Sequence, residues 1–196
     1  MSQNPSGQYS IPVSTEQMQE LVIRSVKRGT LSVFSTMLNM KAQAGDAYSI
    51  SGSPISAEGV VSLVGLAGPW MGTGSLSCNS KLARMIAQAL LLENCPAVDD
   101  QVLDAIGEIT NIVVGNVKTD IEEIVGSMGL SIPTVIYGRN FSTRSAGGNW
   151  IVVPFQCGPE TLLVQICLVK HKENGTGCRA GFTHPHVSDS LRLAHN

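Results

Sequence analysis

Apolar positions change their spacing several times along the chain. Met18, Leu21, Val22, Val26, Val33, Phe34, Met37 and Leu38 recur every three or four residues, which predicts a helix over 15–40. Ser14 followed by Gln17 forms a capping-box start for it, Gly29-Thr30 marks a candidate bend, and Gly45-Asp46 closes the segment. The pattern then turns to strands at 48–51, 60–67 and 70–78. Gly68-Pro69 turns the last two into a hairpin. Glycines crowd the second arm of that hairpin. They weaken a strand but permit close approach of whatever packs on it.

Asn79 or Ser80 caps a second helix over 81–92, stopped by Asn94-Cys95-Pro96. A third, longer helix is expected over 99–127, capped by Asp99 or Asp100 and ended near Gly126 and Gly129. Strands at 131–138, 150–156 and 162–170 complete the series, with a Ser/Arg/Gly loop at 140–149 and a turn at Gly158-Pro159. The expected organisation is a flexible arm over 1–13, a single domain over 14–170 and an irregular polar tail over 171–196. Helix, strands, two helices, strands describe two helix-then-hairpin halves sharing one sheet. The expected class is α/β of the layered kind: a mostly antiparallel six-stranded sheet with long helices packed across it.

Composition narrows the function classes. Apolar residues make up 43% of the 196 positions, enough for a core. Charged residues make up only 14%, so much of the surface is uncharged or covered. A net charge of −2 argues against nucleic acid or an anionic membrane as the main partner. No apolar run approaches the ~20 residues of a membrane span, and no signal peptide is legible, so a cytoplasmic protein without membrane insertion is expected. Five cysteines, none in CxxC spacing, read as buried thiols of a reducing compartment. Trp70 and Trp150 read as core or dimer-seam residues.

The third helix carries the chemical signal. Val102, Ile106, Ile109, Val113, Val117, Ile121 and Ile124 form its core stripe. Asp104, Glu108, Asn111, Gly115, Lys118 and Glu122 share the same spacing and fall within roughly 80° of one another, opposite that stripe. A solvated helix face is the bland reading. Asn111 and Gly115 argue against it, since each costs about 0.5–1 kcal/mol against Ala inside a helix. Gly115 also leaves a notch one turn from Asn111, through which another molecule's backbone could approach the amide.

Asp104-x3-Glu108-x2-Asn111, continued by Gly115-Asn116-Val117-Lys118 and followed by Ser131-Ile132-Pro133, resembles the chemotaxis phosphatases of the CheC/CheX/FliY group, the CheX branch above all. Residues 33–38, Val-Phe-Ser-Thr-Met-Leu, resemble the end of that branch's first helix, and the likeness covers about 15–170. The resemblance implies hydrolysis of the aspartyl-phosphate of a CheY-like response regulator. Asn111 would orient the attacking water and Glu108 would salt-bridge the regulator's active-site lysine. Asp104, Gly115 and Lys118 would contact the partner. The Mg²⁺ would be supplied by the regulator, and this chain would have no cofactor or metal site of its own. The first helix holds Glu20 but no Glu-x-x-Asn, which implies one site per chain. The resemblance and the low charge together imply a homodimer.

Two rivals remain. One is a non-catalytic CheX-like module that binds a response regulator or a flagellar-switch component. The other is a metal-dependent hydrolase using Asp104 and Glu108, which lack a helix histidine to join them. His171, Cys178, His184, His186 and His195 fit no strong zinc template. The glycines of 65–74 lack the Lys-Ser/Thr ending of a phosphate loop.

Overall fold

Side chains open each helix. Ser14 Oγ accepts from the Gln17 N–H at 3.2 Å while Gln17 Oε1 accepts from the Ser14 N–H at 3.0 Å, closing the capping box of α1 (Thr15–Thr36). Asn79 Oδ1 accepts from the Leu82 N–H at the start of α2 (Ser80–Leu91), and Asp99 Oδ1 from the Val102 N–H at the start of α3 (Asp100–Val125). The structure is a computed structural model, which describes residues 13–51, 55–143 and 148–171. Residues 1–12 of the expected arm, most of the expected tail with Cys178, His184, His186 and His195, and residues 144–147 of the expected loop lie outside the described residues.

Each helix stops earlier than its apolar spacing alone suggests. α1 ends at Thr36, and Asn39, at φ 49°, turns the chain while Leu38 stays buried. α2 ends on Leu92 at φ 57°, a left-handed cap before the Asn94-Cys95-Pro96 stop. Gly126, at φ 91°, ends α3. Gly29 lies within α1, buried against the Asn116 side chain at 3.2 Å from where its own Cβ would stand. It is a contact point between α1 and α3.

The strands are β1 (Gln43–Ala44), β2 (Tyr48–Ser51), β3 (Ile55–Ala67), β4 (Trp70–Cys78), β5 (Gly129–Leu130), β6 (Thr134–Thr143), β7 (Asn149–Cys157) and β8 (Glu160–Lys170). They form one sheet in the order β1-β7-β8-β4-β3-β5, with β2 also on β7 and β6 also on β3, every pairing antiparallel. The sheet among the described residues therefore has eight strands rather than six. The six expected strands are all present. The two added ones are two residues long, too short for alternation to reveal. β6 begins at Thr134 rather than at residue 131, because Pro133 cannot donate to a ladder. It continues to Thr143, into the expected loop.

One core lies between the sheet and the three helices. Val102, Ile106, Ile109, Val113, Val117 and Ile121 are buried in it, with Val60, Val64 and Leu66 of β3, Leu76 of β4 and Val164 and Ile166 of β8. Ile124, expected on the same stripe, is 39% exposed. It sits in the last turn of α3, beyond the buried part of the stripe. Gly74 shows what the hairpin glycines permit: a Cβ there would lie 2.6 Å from Val114 of α3. Trp70 belongs to this core, whereas Trp150 joins Val152 and Cys167 in a smaller cluster. Cys78, Cys95, Cys157 and Cys167 are buried. Burial pushes the Cys78 thiol up to about 12, with Cys157 adding to it, and Cys157 up to about 11. Both are neutral thiols at physiological pH and poor nucleophiles. No helix among the described residues is long and apolar enough to cross a membrane.

Candidate functional site

Core packing of one α3 stripe forces the opposite stripe outward. Asp104 and Glu108 are exposed, and Asn111, Gly115, Lys118 and Glu122 are half-buried. Steps of four and three residues put Asp104, Glu108 and Asn111 on successive turns, about 4.5–6 Å apart along the axis. Neither Glu108 nor Asn111 has a side-chain hydrogen bond or ion pair among the described residues. A charged acceptor thus stands free one turn before an uncommitted amide, which carries both a donor and an acceptor.

The lower end of the stripe differs. Lys118 Nζ donates to Glu122 Oε2 at 2.5 Å, and Glu122 Oε1 accepts from the Met128 N–H at 2.6 Å. The Lys118 ammonium, and next the Met128 N–H, hold the Glu122 carboxyl below its usual range. Lys118, read from sequence as a partner contact, is engaged here in bracing the end of α3.

Half-burial of Asn111 and Gly115 has a cause that periodicity does not carry. The link between β5 and β6 runs beside the stripe. Leu130 Cδ1 lies 3.7 Å from the Cβ position of Gly115, a normal contact, so the Gly115 notch has Leu130 as a wall. At the other end, Val135 and Pro133 lie 3.4 and 3.6 Å from the Cβ position of Gly107. Gly107 escaped the sequence reading. Its signal was available: a glycine in mid-helix costs helix stability, so it marks a close approach.

A second contribution also escaped. Asp120 of α3 accepts from the Ser25 hydroxyl and from Arg28, both on α1. With Gly29 against Asn116, this fixes α3 against α1 about one and a half to two and a half turns beyond Asn111. Asp104 and Glu108, the metal reading's pair, gain no third ligand. Among the described residues no group of three His, Cys, Asp or Glu side chains is placed to hold a metal ion.

A free Glu-x-x-Asn on the outer face of the central helix, over an antiparallel sheet, invites comparison with known proteins. The family model described as chemotaxis phosphatase CheX matches residues 60–156, a span that includes α3, β4 and the greater part of β3. The chain is CheX-like. The CheX-like fold extends beyond that span. A CheC-like superfamily protein from Shewanella sp. PV-4 superposes with a TM-score of 0.67 at 26% identity, covering 76% of this chain and 97% of its own. CheX of the CheX–CheY–BeF3–Mg²⁺ complex from Borrelia burgdorferi gives 0.66 at 25% identity, over 76% and 98%. FliY from Thermotoga maritima, at 17% identity and 0.60, over 80% and 92%, shares the fold. No curated protein matches the chain.

Proposed function

We propose that this CheX-like chain hydrolyses the aspartyl-phosphate of a CheY-like response regulator. The observation that carries the reading is the uncommitted Asn111 amide one turn beyond the uncommitted Glu108 carboxylate. The family match and the CheX–CheY complex of a relative support a CheY-like partner.

The chemistry asks little covalent help of the protein. Water attacks phosphorus in line, the bond from phosphorus to the aspartyl oxygen breaks, and inorganic phosphate and a free carboxylate remain. Asn111 accepts a hydrogen bond from that water and holds it in line. Its neutral amide adds no negative charge beside the phosphoryl group, as a carboxylate would. Glu108 pairs with the regulator's active-site lysine, and Asp104 extends the acidic edge one turn further. Gly115 admits the partner's surface beside the amide. The Mg²⁺ belongs to the regulator, and no residue of this chain is assigned to hold it. The protein acts in the cytoplasm, as a homodimer.

Phosphate release from a phosphorylated CheY-like regulator, measured with and without the chain, tests this. Accelerated release supports the phosphatase. Binding of the regulator without acceleration would make the chain a docking module instead.

A further inference from the structure

Leu130 and Pro133 bracket Asn111. Leu130 lies against Gly115 and Pro133 against Gly107, at the contact distances given above. Gly107, Asn111 and Gly115 are each four residues apart and lie on one ridge of α3, about 12 Å from end to end. An extended link from 130 to 133 spans about 10 Å. The link therefore runs antiparallel to α3 along this ridge, and residues 131 and 132 pass abreast of Asn111.

Those two residues face opposite ways. Ser131 turns to the sheet: its Oγ accepts from the Gly65 N–H at 2.8 Å, and its N–H donates to the Gly65 carbonyl at 3.0 Å. Ile132 turns out and is 86% exposed. Pro133 restricts Ile132 to extended backbone and is itself seated on Gly107. A single exposed isoleucine is ordinary on a protein surface. This one is anchored through both neighbours and stands beside the free amide. Binding through it would order only one side chain, since the backbone is already fixed.

We propose that Ile132 is an apolar docking contact for the regulator, seated against apolar surface beside the phosphorylated aspartate, and that it selects the partner without taking part in the chemistry. The inference rests on the reading of the site as a regulator phosphatase. Glu108 supplies charge one turn from Asn111, and Ile132 supplies apolar area where the link passes it.

The test compares wild type, Ile132→Ser and Ile132→Leu against a phosphorylated CheY, reading phosphate release over a range of regulator concentrations. Equilibrium binding is read in parallel with CheY held in its activated state by beryllofluoride. Ile132→Ser is expected to raise the half-saturating concentration and the Kd about tenfold, with turnover at saturation and melting temperature unchanged. Ile132→Leu should recover most of the affinity. If wild type binds and turns over while Ile132→Ser matches it in both, the docking contact is wrong and the phosphatase reading stands. If Ile132→Ser loses turnover at saturation with unchanged binding, the residue acts in the chemistry and the docking role is wrong. A wild type that neither binds nor dephosphorylates CheY removes both readings together.

Discussion

Val114 of α3 stands directly over Gly74 of β4, with its Cγ2 at 2.6 Å from where a Cβ on the glycine would be. Any side chain at 74 must push α3 off the sheet or force Val114 out of its rotamer. Gly74→Ala is therefore expected to cost about 1–3 kcal/mol, the range for overpacking a filled core. Gly115 has no such crowding. Gly115→Ala should stabilise the fold by up to ~1 kcal/mol through helix propensity. If the notch admits the partner, the same change weakens regulator binding. Chemical denaturation and a binding titration separate the two glycines, and equal loss of stability in both variants would contradict this packing.

Asn111→Ala should abolish phosphatase activity and leave stability nearly unchanged. The amide makes no hydrogen bond among the described residues, and Ala is the better helix former. Activity at the wild-type level would remove the water-positioning role. A marked drop in melting temperature would mean that the amide holds the fold instead.

Glu108 should act on docking and Asn111 on turnover. Glu108→Gln keeps the shape and removes the charge, so the regulator concentration for half-maximal rate should rise. Truncating such a partly desolvated charge pair costs about 2–5 kcal/mol at most. Lowering salt should strengthen wild-type binding more than binding by the variant. Glu108→Lys should be worse than Gln, because two lysines would then meet. Identical behaviour of the two variants, with no change in binding, would return Glu108 to the solvated surface.

Acid should loosen the end of α3. The Lys118 ammonium and the Met128 N–H favour the charged form of Glu122, so its folded value lies below the ordinary 4.5. The unfolded chain binds this proton first as pH falls. The contribution is therefore complete above about 4.5 and is lost as pH drops through the lowered folded value. Glu160, lowered by Asn79 and Lys81, declines in the same window. Glu122→Gln should make the melting temperature fall less steeply below pH ~4.5 without abolishing the decline. An unchanged slope would mean that Glu122 is not linked to folding.

β6 pairs with β3 and with no other described strand, so it lies at a border of the sheet. Uncovered strand edges invite pairing with another chain, and only 14% of the residues are charged. Sedimentation at micromolar concentration should give twice the chain mass of 20.7 kDa. A single species at 20.7 kDa would contradict the homodimer.

Some of this was written in local patterns. Ser14/Gln17 marked one helix start, since a cap depends on residues three positions apart. Each of the others had two candidates, Asn79 or Ser80 and Asp99 or Asp100, of which Asn79 and Asp99 make the caps. Period-3.6 spacing separated the buried Val102-to-Ile121 stripe from the Asp104, Glu108 and Asn111 face, because a helix turns its sides the same way wherever it is placed. The Glu-x-x-Asn spacing was legible for the same reason, and the six main strands from apolar runs bounded by turn residues such as Gly68-Pro69 and Gly158-Pro159. Other features depend on residues distant in sequence. Gly107 against Pro133, Gly29 against Asn116, and Asp120 with Ser25 and Arg28 each join segments that only the packed fold brings together. So does the engagement of Glu122 by Met128, which leaves Lys118 bracing the helix end. The sequence alone determined which face of α3 is free to carry chemistry. The tertiary structure decided what borders that face, since Ile132 comes abreast of Asn111 only when β5 and β6 dock along the helix.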